Sequence, residues 1–308
     1  MLSRIAESMF WIGRYVERAE DTARILDVQT QIMVEDPSVD IDTACRTLLG
    51  VMGTEIPEER LTLEAALYRL AFDTDEGTSI SSAIGGARES ARRARETLST
   101  ELWEVINSTY RTVGSGRFRA MRTQDAFRWM RERAAVINGT ADATMSRDEG
   151  WQFLLLGRSL ERADMTARLV ATGALPQAGP PWSTVLQSCG AQQAYLRTNR
   201  GLIRDDRVAA FLVLDRQFPR SVLFALSAAE RRLEAIDPAT HRMGIPDEAR
   251  RRLGRIRTSL EYRPVPDVMA DLPAQMRRVQ AAVTGASDAV ARRYFPAGTV
   301  TTWVEEYA

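Results

Sequence analysis

The feature that most constrains the fold of this chain is a twelve-residue segment that occurs twice. Residues 13–24 read GRYVERAEDTAR and residues 157–168 read GRSLERADMTAR, so eight of the twelve positions are identical. We call each of these segments a Glu-Arg motif. The two motifs lie 144 residues apart, and any fold proposed for the chain must therefore accommodate the same pattern twice.

A second pair of similar segments supports the same repeat. Residues 70–87 resemble residues 212–229 at an offset of 142, in the same order along the chain as the two motifs. A repeat of this length is half of a duplicated domain and not the short unit of a solenoid. We therefore predict a single domain made of two diverged copies, near residues 1–145 and 146–308.

Apolar residues recur with a period of about 3.6 along nearly the whole chain, and strict alternation is nowhere sustained. This pattern predicts an all-α fold, a helical bundle whose two repeats are related by a pseudo-two-fold axis. The predicted helices cover residues 3–33, 41–52, 59–72, 79–97, 100–112, 123–143, 147–172, 183–199, 205–214, 219–236, 247–261 and 267–293.

Composition excludes several classes of function. All 41 basic residues are arginines and they balance 41 acidic residues, so the chain has no net charge to attract nucleic acid or an anionic membrane. The absence of lysine excludes a Schiff-base nucleophile and the phosphate-binding lysine of a P-loop. With no signal peptide and no apolar run of ~18 residues, we expect a cytoplasmic protein.

The residues that usually bind metals are scarce. The chain has one histidine, His241, and two cysteines that are distant in sequence, Cys45 and Cys189. These three side chains are too few for a closed zinc site, and His241 is the sole imidazole for a catalytic triad. We expect no metal and no cofactor, reduced cysteines in the core, and His241 in a surface loop.

Helical geometry places the polar residues of each motif on one side of a helix. At ~100° per residue, Gly13, Glu17, Glu20 and Arg24 lie one above another. Glycine inside a helix costs ~1 kcal/mol relative to alanine, so its presence in both motifs indicates that something approaches the backbone there. The candidate acid/base residues are Glu17 and Glu161. The candidate ligand-binding residues are Arg14, Arg18, Arg24, Arg158, Arg162 and Arg168, with Arg220 and Ser221 at the start of a later helix.

The motif allows three interpretations. In the first, the charges form exposed ion pairs, each worth only ~0.2–0.5 kcal/mol. In the second, they form a seam between the two copies, where arginines clamp glutamates. In the third, they line a ligand-binding or catalytic site. From the repeat we predict that the two motif helices are adjacent, which brings Glu17 and Glu161 close together. Because Gly13 and Gly157 open space that a packed seam would fill, the sequence favours a cleft that ligand and water reach.

With these residues in view, the chain resembles the alpha-E domain family, which is named for helices with a Glu-Arg motif. The resemblance covers the whole chain, with one departure at Ser90, where the family pattern has Asn. Its strongest marks are Met1-Leu-Ser-Arg4, residues 11–20, Ala87-Arg-Glu89 with Trp103-Glu104, residues 156–164 and residues 218–222. The arginine-dense segment 87–96 is itself either a solvated helix face or a face that docks a partner or binds an anion.

The resemblance implies a pathway more than a chemistry. Such proteins are typically encoded beside, or fused to, a circularly permuted ATP-grasp ligase, often with a transglutaminase-like protein, and both are the implied partners. The first hypothesis is a helical partner that binds the ligase, or its peptide or amino-acid substrate, through the duplicated motif. The second is an enzyme of the same peptide-modification pathway with Glu17 and Glu161 as acid and base. The third is a structural scaffold, and a homo-oligomer is left open.

Overall fold

The computed structural model of the chain describes residues 1–175, 179–238 and 243–296, and His241 lies outside these ranges. Within them the chain is helical and contains no strand, so the predicted all-α class is confirmed. The helices are α1 Ser3–Glu35, α2 Ile41–Met52, α3 Leu63–Leu67, α4 Ile80–Arg93, α5 Thr100–Gly114, α6 Arg117–Ala120, α7 Thr123–Thr144, α8 Glu149–Gly173, α9 Trp182–Ser188, α10 Gln192–Thr198, α11 Asp205–Leu214, α12 Val222–Ile236, α13 Glu248–Glu261, α14 Val265–Met269 and α15 Leu272–Tyr294.

The two halves of the chain pack their helices in the same order. In the first half, α1 packs against α4 and α7, and α5 packs against the same two helices. In the second half, α8 packs against α12 and α15, and α13 packs against both. Each half therefore contains a corresponding group of four helices, and α1 and α8 join the two groups by packing on each other. This order is what a duplication requires; the duplication itself stays a prediction.

The central helices α1 and α8 are buried on both sides. The apolar residues Ala19 and Ala23 of α1 are fully buried in the core. The polar side is buried as well, because the other central helix covers it: Glu17 is 0% exposed and Glu161 is 2% exposed. The interpretation of the motif as exposed ion pairs is therefore wrong for these two glutamates.

One predicted helix, residues 183–199, is broken into α9 and α10. The chain turns between them at Gly190, whose φ of 62° lies in the left-handed region that favours glycine. A Cβ atom on Gly190 would lie 3.0 Å from Nη1 of Arg24 in α1. A motif arginine thus occupies the space beside the break, a contact across 166 residues that local periodicity does not reveal.

Both cysteines are free and buried, as the sequence predicts for core residues. Burial raises the pKa of Cys45 to about 11 and that of Cys189 to about 12, so both remain unreactive thiols at neutral pH. In the described ranges, none of the helices combines the length and the apolar character needed to cross a bilayer.

Candidate functional site

The helices α1 and α8 cross at the two motif glycines. A Cβ atom on Gly13 would lie 2.0 Å from the carbonyl oxygen of Leu154, and one on Gly157 would lie 2.0 Å from that of Phe10. Any side chain at either position would collide with the opposite backbone. The expectation that something approaches these glycines is confirmed. The approaching group is the other helix, so the interpretation that the glycines open a cleft is wrong.

Next to the crossing, Glu161 of α8 is held by two arginines of α1. Arg18 donates from Nε to Oε1 over 2.6 Å and from Nη2 to Oε2 over 3.2 Å, and Arg14 donates from Nε to Oε2 over 2.6 Å. Burial acts to raise the pKa of Glu161, but the charges and hydrogen bonds of the two arginines outweigh it and hold the pKa at about 2.

Glu17 of α1 is held in the reciprocal way from the second half. Arg162 of α8 donates from Nε to Oε1 over 2.6 Å and from Nη2 to Oε2 over 2.8 Å. Arg220, in the turn before α12, donates from Nη1 to Oε1 over 2.7 Å. Burial opposes ionisation here too, yet Arg162 and Arg220 lower the pKa of Glu17 to about 2. The arginines clamp the glutamates between the two halves, as the seam interpretation describes.

We call this set of side chains the Glu-Arg seam. It consists of Arg14, Glu17, Arg18, Glu161, Arg162 and Arg220. Each glutamate receives two guanidinium groups and has both oxygens occupied, so the seam is a closed set of charge-assisted hydrogen bonds in the interior.

Arg220 extends the seam along α1. Its Nη1 donates to Oδ1 of Asp21 over 2.5 Å, and its Nη2 donates to Glu20. Its own carbonyl oxygen accepts a hydrogen bond from Thr166 of α8 over 2.9 Å. Arg220 was predicted to bind an anionic ligand, and the structure supplies it with three carboxylates of this chain.

Arg24 and Arg168, which end the two motifs, pair within their own helices. Arg24 donates to Glu20 over 2.7 Å, and Arg168 donates to Asp164 over 2.8 Å. Both pairs have four-residue spacing on one helix face. These arginines therefore flank the seam and do not reach Glu17 or Glu161.

The last two predicted residues lie outside the seam. Ser221 caps α12: its Oγ accepts from the amide of Phe224 over 3.1 Å and donates to the carbonyl of Asp215. Arg158 lies on α8 near Glu17, but it makes no hydrogen bond or ion pair among residues 1–175, 179–238 and 243–296.

Asp21 is the residue of this region that sequence reasoning missed. Burial raises its pKa to about 7, and the negative charges of Glu17 and Glu20 act in the same direction, while Arg220 opposes them. The one signal in the sequence is a difference between the copies, since the position equivalent to Asp21 in the second motif is Met165. Asp21 is therefore the acidic group of the site that titrates near neutral pH.

The pKa of Asp21 predicts a dependence of stability on pH. Because the folded-state pKa of about 7 lies above the ordinary value of 3.8, the folded protein retains a proton that the unfolded chain releases between these values. The contribution of this group to the free energy of unfolding thus falls as pH rises from about 4 to 7. As pH rises from 5 to 8, we expect the free energy of unfolding of Asp21→Asn to increase by at least ~1 kcal/mol relative to that of the wild type.

Urea unfolding at pH 5, 6, 7 and 8 measures this difference. Asp288→Asn is the matched control, because Asp288 is exposed on α15 and its substitution should not change the slope with pH. Parallel pH profiles for the wild type and Asp21→Asn would show that Asp21 is ionised across the whole range.

Comparison with known proteins gives a family and three relatives. The family model Alpha-E, described as "a predicted alpha-helical domain with a conserved ER motif", matches residues 1–295. Uncharacterised proteins of Mycobacterium bovis and of two Mycobacterium tuberculosis strains are each 24% identical over 252 residues. The match covers 72% of this chain but only 28% of each relative. No solved structure matches the chain.

Proposed function

The chain belongs to the Alpha-E family, and we propose that it is a helical partner protein in an ATP-grasp amide-ligase pathway that modifies peptides. In this proposal it binds the ligase, or the ligase's peptide or amino-acid substrate, and leaves the chemistry to the ligase. The observation that carries the proposal is the state of the two motif glutamates, which are closed into an internal set of ion pairs.

A general acid must hold a proton near neutral pH, and an effective general base needs a pKa near the working pH. Glu17 and Glu161 both have a pKa of about 2, so both remain carboxylates and are weak bases. Their oxygens are occupied by arginines, and their exposed fractions are 0% and 2%. These properties suit a structural seam better than proton transfer to a substrate.

The lengths of the relatives agree with a partner role. The chain spans about 28% of the length of the mycobacterial proteins that it matches. In those proteins an Alpha-E-like region is thus part of a much longer chain. This supports a domain that works beside other domains.

We place the docking face on α4 and α5, away from the seam. Arg95, in the short segment between α4 and α5, places its Cζ atom 4.7 Å from the ring centroid of Trp103, and Arg88 of α4 places its Cζ atom 5.2 Å from that of Tyr110. Arg95 and Tyr110 are exposed, so an arginine-aromatic surface faces solvent where the arginine-dense segment 87–96 packs against α5. Arginine and aromatic side chains are enriched in protein interfaces, which favours this face for a partner.

The test is a coupled reaction with the ATP-grasp ligase of the same gene neighbourhood, ATP and an amino-acid mixture. We expect the purified chain to raise amide formation about tenfold or more, equivalent to ~1.4 kcal/mol, measured by mass spectrometry of the product. Arg95→Glu should remove most of this increase, because it reverses a charge on the docking face. Arg128→Glu, at an exposed arginine of α7, should retain it.

Three outcomes would contradict the proposal. Amide formation or cleavage by the chain without the ligase would make it an enzyme. The second candidate function is then an enzyme of the same pathway that uses Asp21, whose pKa of about 7 suits proton transfer, and Asp21→Asn would abolish that activity. A stable homo-oligomer that neither binds nor stimulates the ligase would favour a scaffold. Equal stimulation of the ligase by Arg95→Glu and Arg128→Glu would show that the docking face is not the one formed by α4 and α5.

A further inference from the structure

The pairing within the seam is not symmetric, and the difference concerns Arg158. In the first motif, Arg14 binds Glu161 of the opposite helix over 2.6 Å. Its counterpart 144 residues later is Arg158, which makes no corresponding bond to Glu17 and no ion pair elsewhere in the described chain. Among the motif arginines, Arg158 thus has no carboxylate partner within the seam.

The position of Arg220 explains why Arg158 does not bind Glu17. Glu17 already accepts from Arg162 and from Arg220, which enters from the turn before α12. At the equivalent position of the first half, the offset of 142 gives Thr78, whose hydroxyl is 2.7 Å from that of Thr54. Only the second half supplies an extra guanidinium, and it takes the place at Glu17 that symmetry would give to Arg158.

The carboxylates near Arg158 already bind other arginines, and Arg158 is reachable from solvent. Its side chain is partly exposed. Burial lowers the pKa of Arg158, and the guanidinium groups of Arg162 and Arg232 lower it further, against the opposing charges of Glu17 and Asp142. Glu17 is bound by Arg162 and Arg220, and Asp142 by Arg147 over 3.0 Å, so neither carboxylate pairs with Arg158. Arg232, on α12, donates to the side-chain carbonyl of Gln152 over 3.1 Å and has no acidic partner in the part of the chain that the structure describes.

We propose that Arg158 and Arg232 form a binding site for an oxyanion, a carboxylate or a phosphate, between α8 and α12. The planar guanidinium fork matches the paired oxygens of both groups, and Arg is always charged at physiological pH. The identity of the ligand rests on the proposed function, since an ATP-dependent amide ligase handles both carboxylates and phosphates. Binding of a simple anion does not rest on it.

A purely structural arginine would behave differently. A partly buried charge without a counter-ion opposes folding, so its removal should not lower stability. Arg158→Gln should therefore keep or raise the unfolding midpoint. Arg14→Gln, the equivalent change in the first motif, should lower the midpoint, because it removes a donor from Glu161.

The test uses inorganic phosphate and N-acetylglutamate as separate probes, with sodium chloride at matched ionic strength as the reference. In protein labelled with ¹⁵N-arginine, the Nε–H resonance that is missing from Arg158→Gln belongs to Arg158. We expect this resonance to shift and saturate as phosphate or N-acetylglutamate is added. Isothermal titration calorimetry with the same probes does not depend on that resonance. It should show binding weakened at least about tenfold in Arg158→Gln and in Arg232→Gln, equivalent to ~1.4 kcal/mol.

Arg255→Gln is the matched control, since Arg255 is exposed on α13, a helix that carries neither arginine of the site, and should not affect binding. Saturation by phosphate alone would identify a phosphate ligand, and saturation by N-acetylglutamate alone a carboxylate. Unchanged affinity in Arg158→Gln, no saturable shift with either probe, or a midpoint lowered as far as in Arg14→Gln would each overturn the proposal. The ligase is absent from this assay, so failure of the coupled reaction leaves its result intact.

Discussion

Replacement of Gly157 by alanine is expected to lower the free energy of unfolding by ~3 kcal/mol or more, or to prevent folding. The new Cβ atom would lie 2.0 Å from the carbonyl oxygen of Phe10 and 3.2 Å from Cγ of Arg14. The carbonyl belongs to the backbone of α1 and cannot rotate away, so α8 would have to move off α1. That movement would also lengthen the hydrogen bonds of the Glu-Arg seam.

Urea unfolding followed by circular dichroism measures this loss, and Gly139→Ala is the matched control. Gly139 is exposed inside α7, and nothing lies within 4 Å of a Cβ built on it. Alanine there should increase stability by up to ~1 kcal/mol, because it is the better helix former. An unchanged midpoint for Gly157→Ala would mean that the two central helices do not cross this closely in solution.

Glu161→Gln is expected to lower the free energy of unfolding by ~3–5 kcal/mol at pH 7. The carboxylate of Glu161 is 2% exposed and neutralises Arg14 and Arg18. A neutral amide of the same shape leaves both guanidinium groups without a counter-ion and turns an NH₂ group towards donors. Glu132→Gln, at an exposed position of α7, should change stability by no more than ~0.5 kcal/mol.

The same variant tests the protonation state of the seam. Since the pKa of Glu161 is about 2 in the folded protein against an ordinary value of 4.5, its stabilising effect is complete above about pH 4.5 and is lost as pH falls towards 2. The stability difference between wild type and Glu161→Gln should therefore shrink in acid. A variant with unchanged stability at pH 7 would mean that solvent screens these ion pairs.

Sequence reasoning predicted the class of fold and the meeting of the motif helices, because both depend on periodicity and on a repeated pattern. It did not predict that Glu17 is buried. A helix with charges on one side has the same pattern whether water or a second charged helix covers that side. The glycines misled for a related reason: Gly13 and Gly157 mark a close approach, but the sequence does not say what approaches.

The asymmetry of the seam was equally hard to predict. Arg220 reaches Glu17 and Asp21 from about 200 positions further along the chain, and no local pattern records that contact. The usable signal was the comparison of the two copies. The second copy has Met165 where the first has Asp21, and the first has Thr78 where the second has Arg220. The acidic residue Asp21 and its partner Arg220 are thus both present, and at the two equivalent positions both charges are missing.

The reciprocal pairing of α1 with the second half has a consequence for synthesis on the ribosome. When residue 145 is made, α1 carries Glu17 and Asp21, but neither Arg162 nor Arg220 exists yet. At 5–20 residues per second, Arg220 follows Glu17 by roughly 10–40 s. During this interval Glu17 and Asp21 lack the arginines that bind them in the folded chain and stay hydrated. The nascent first half therefore waits for the second, and the two halves mature as one unit.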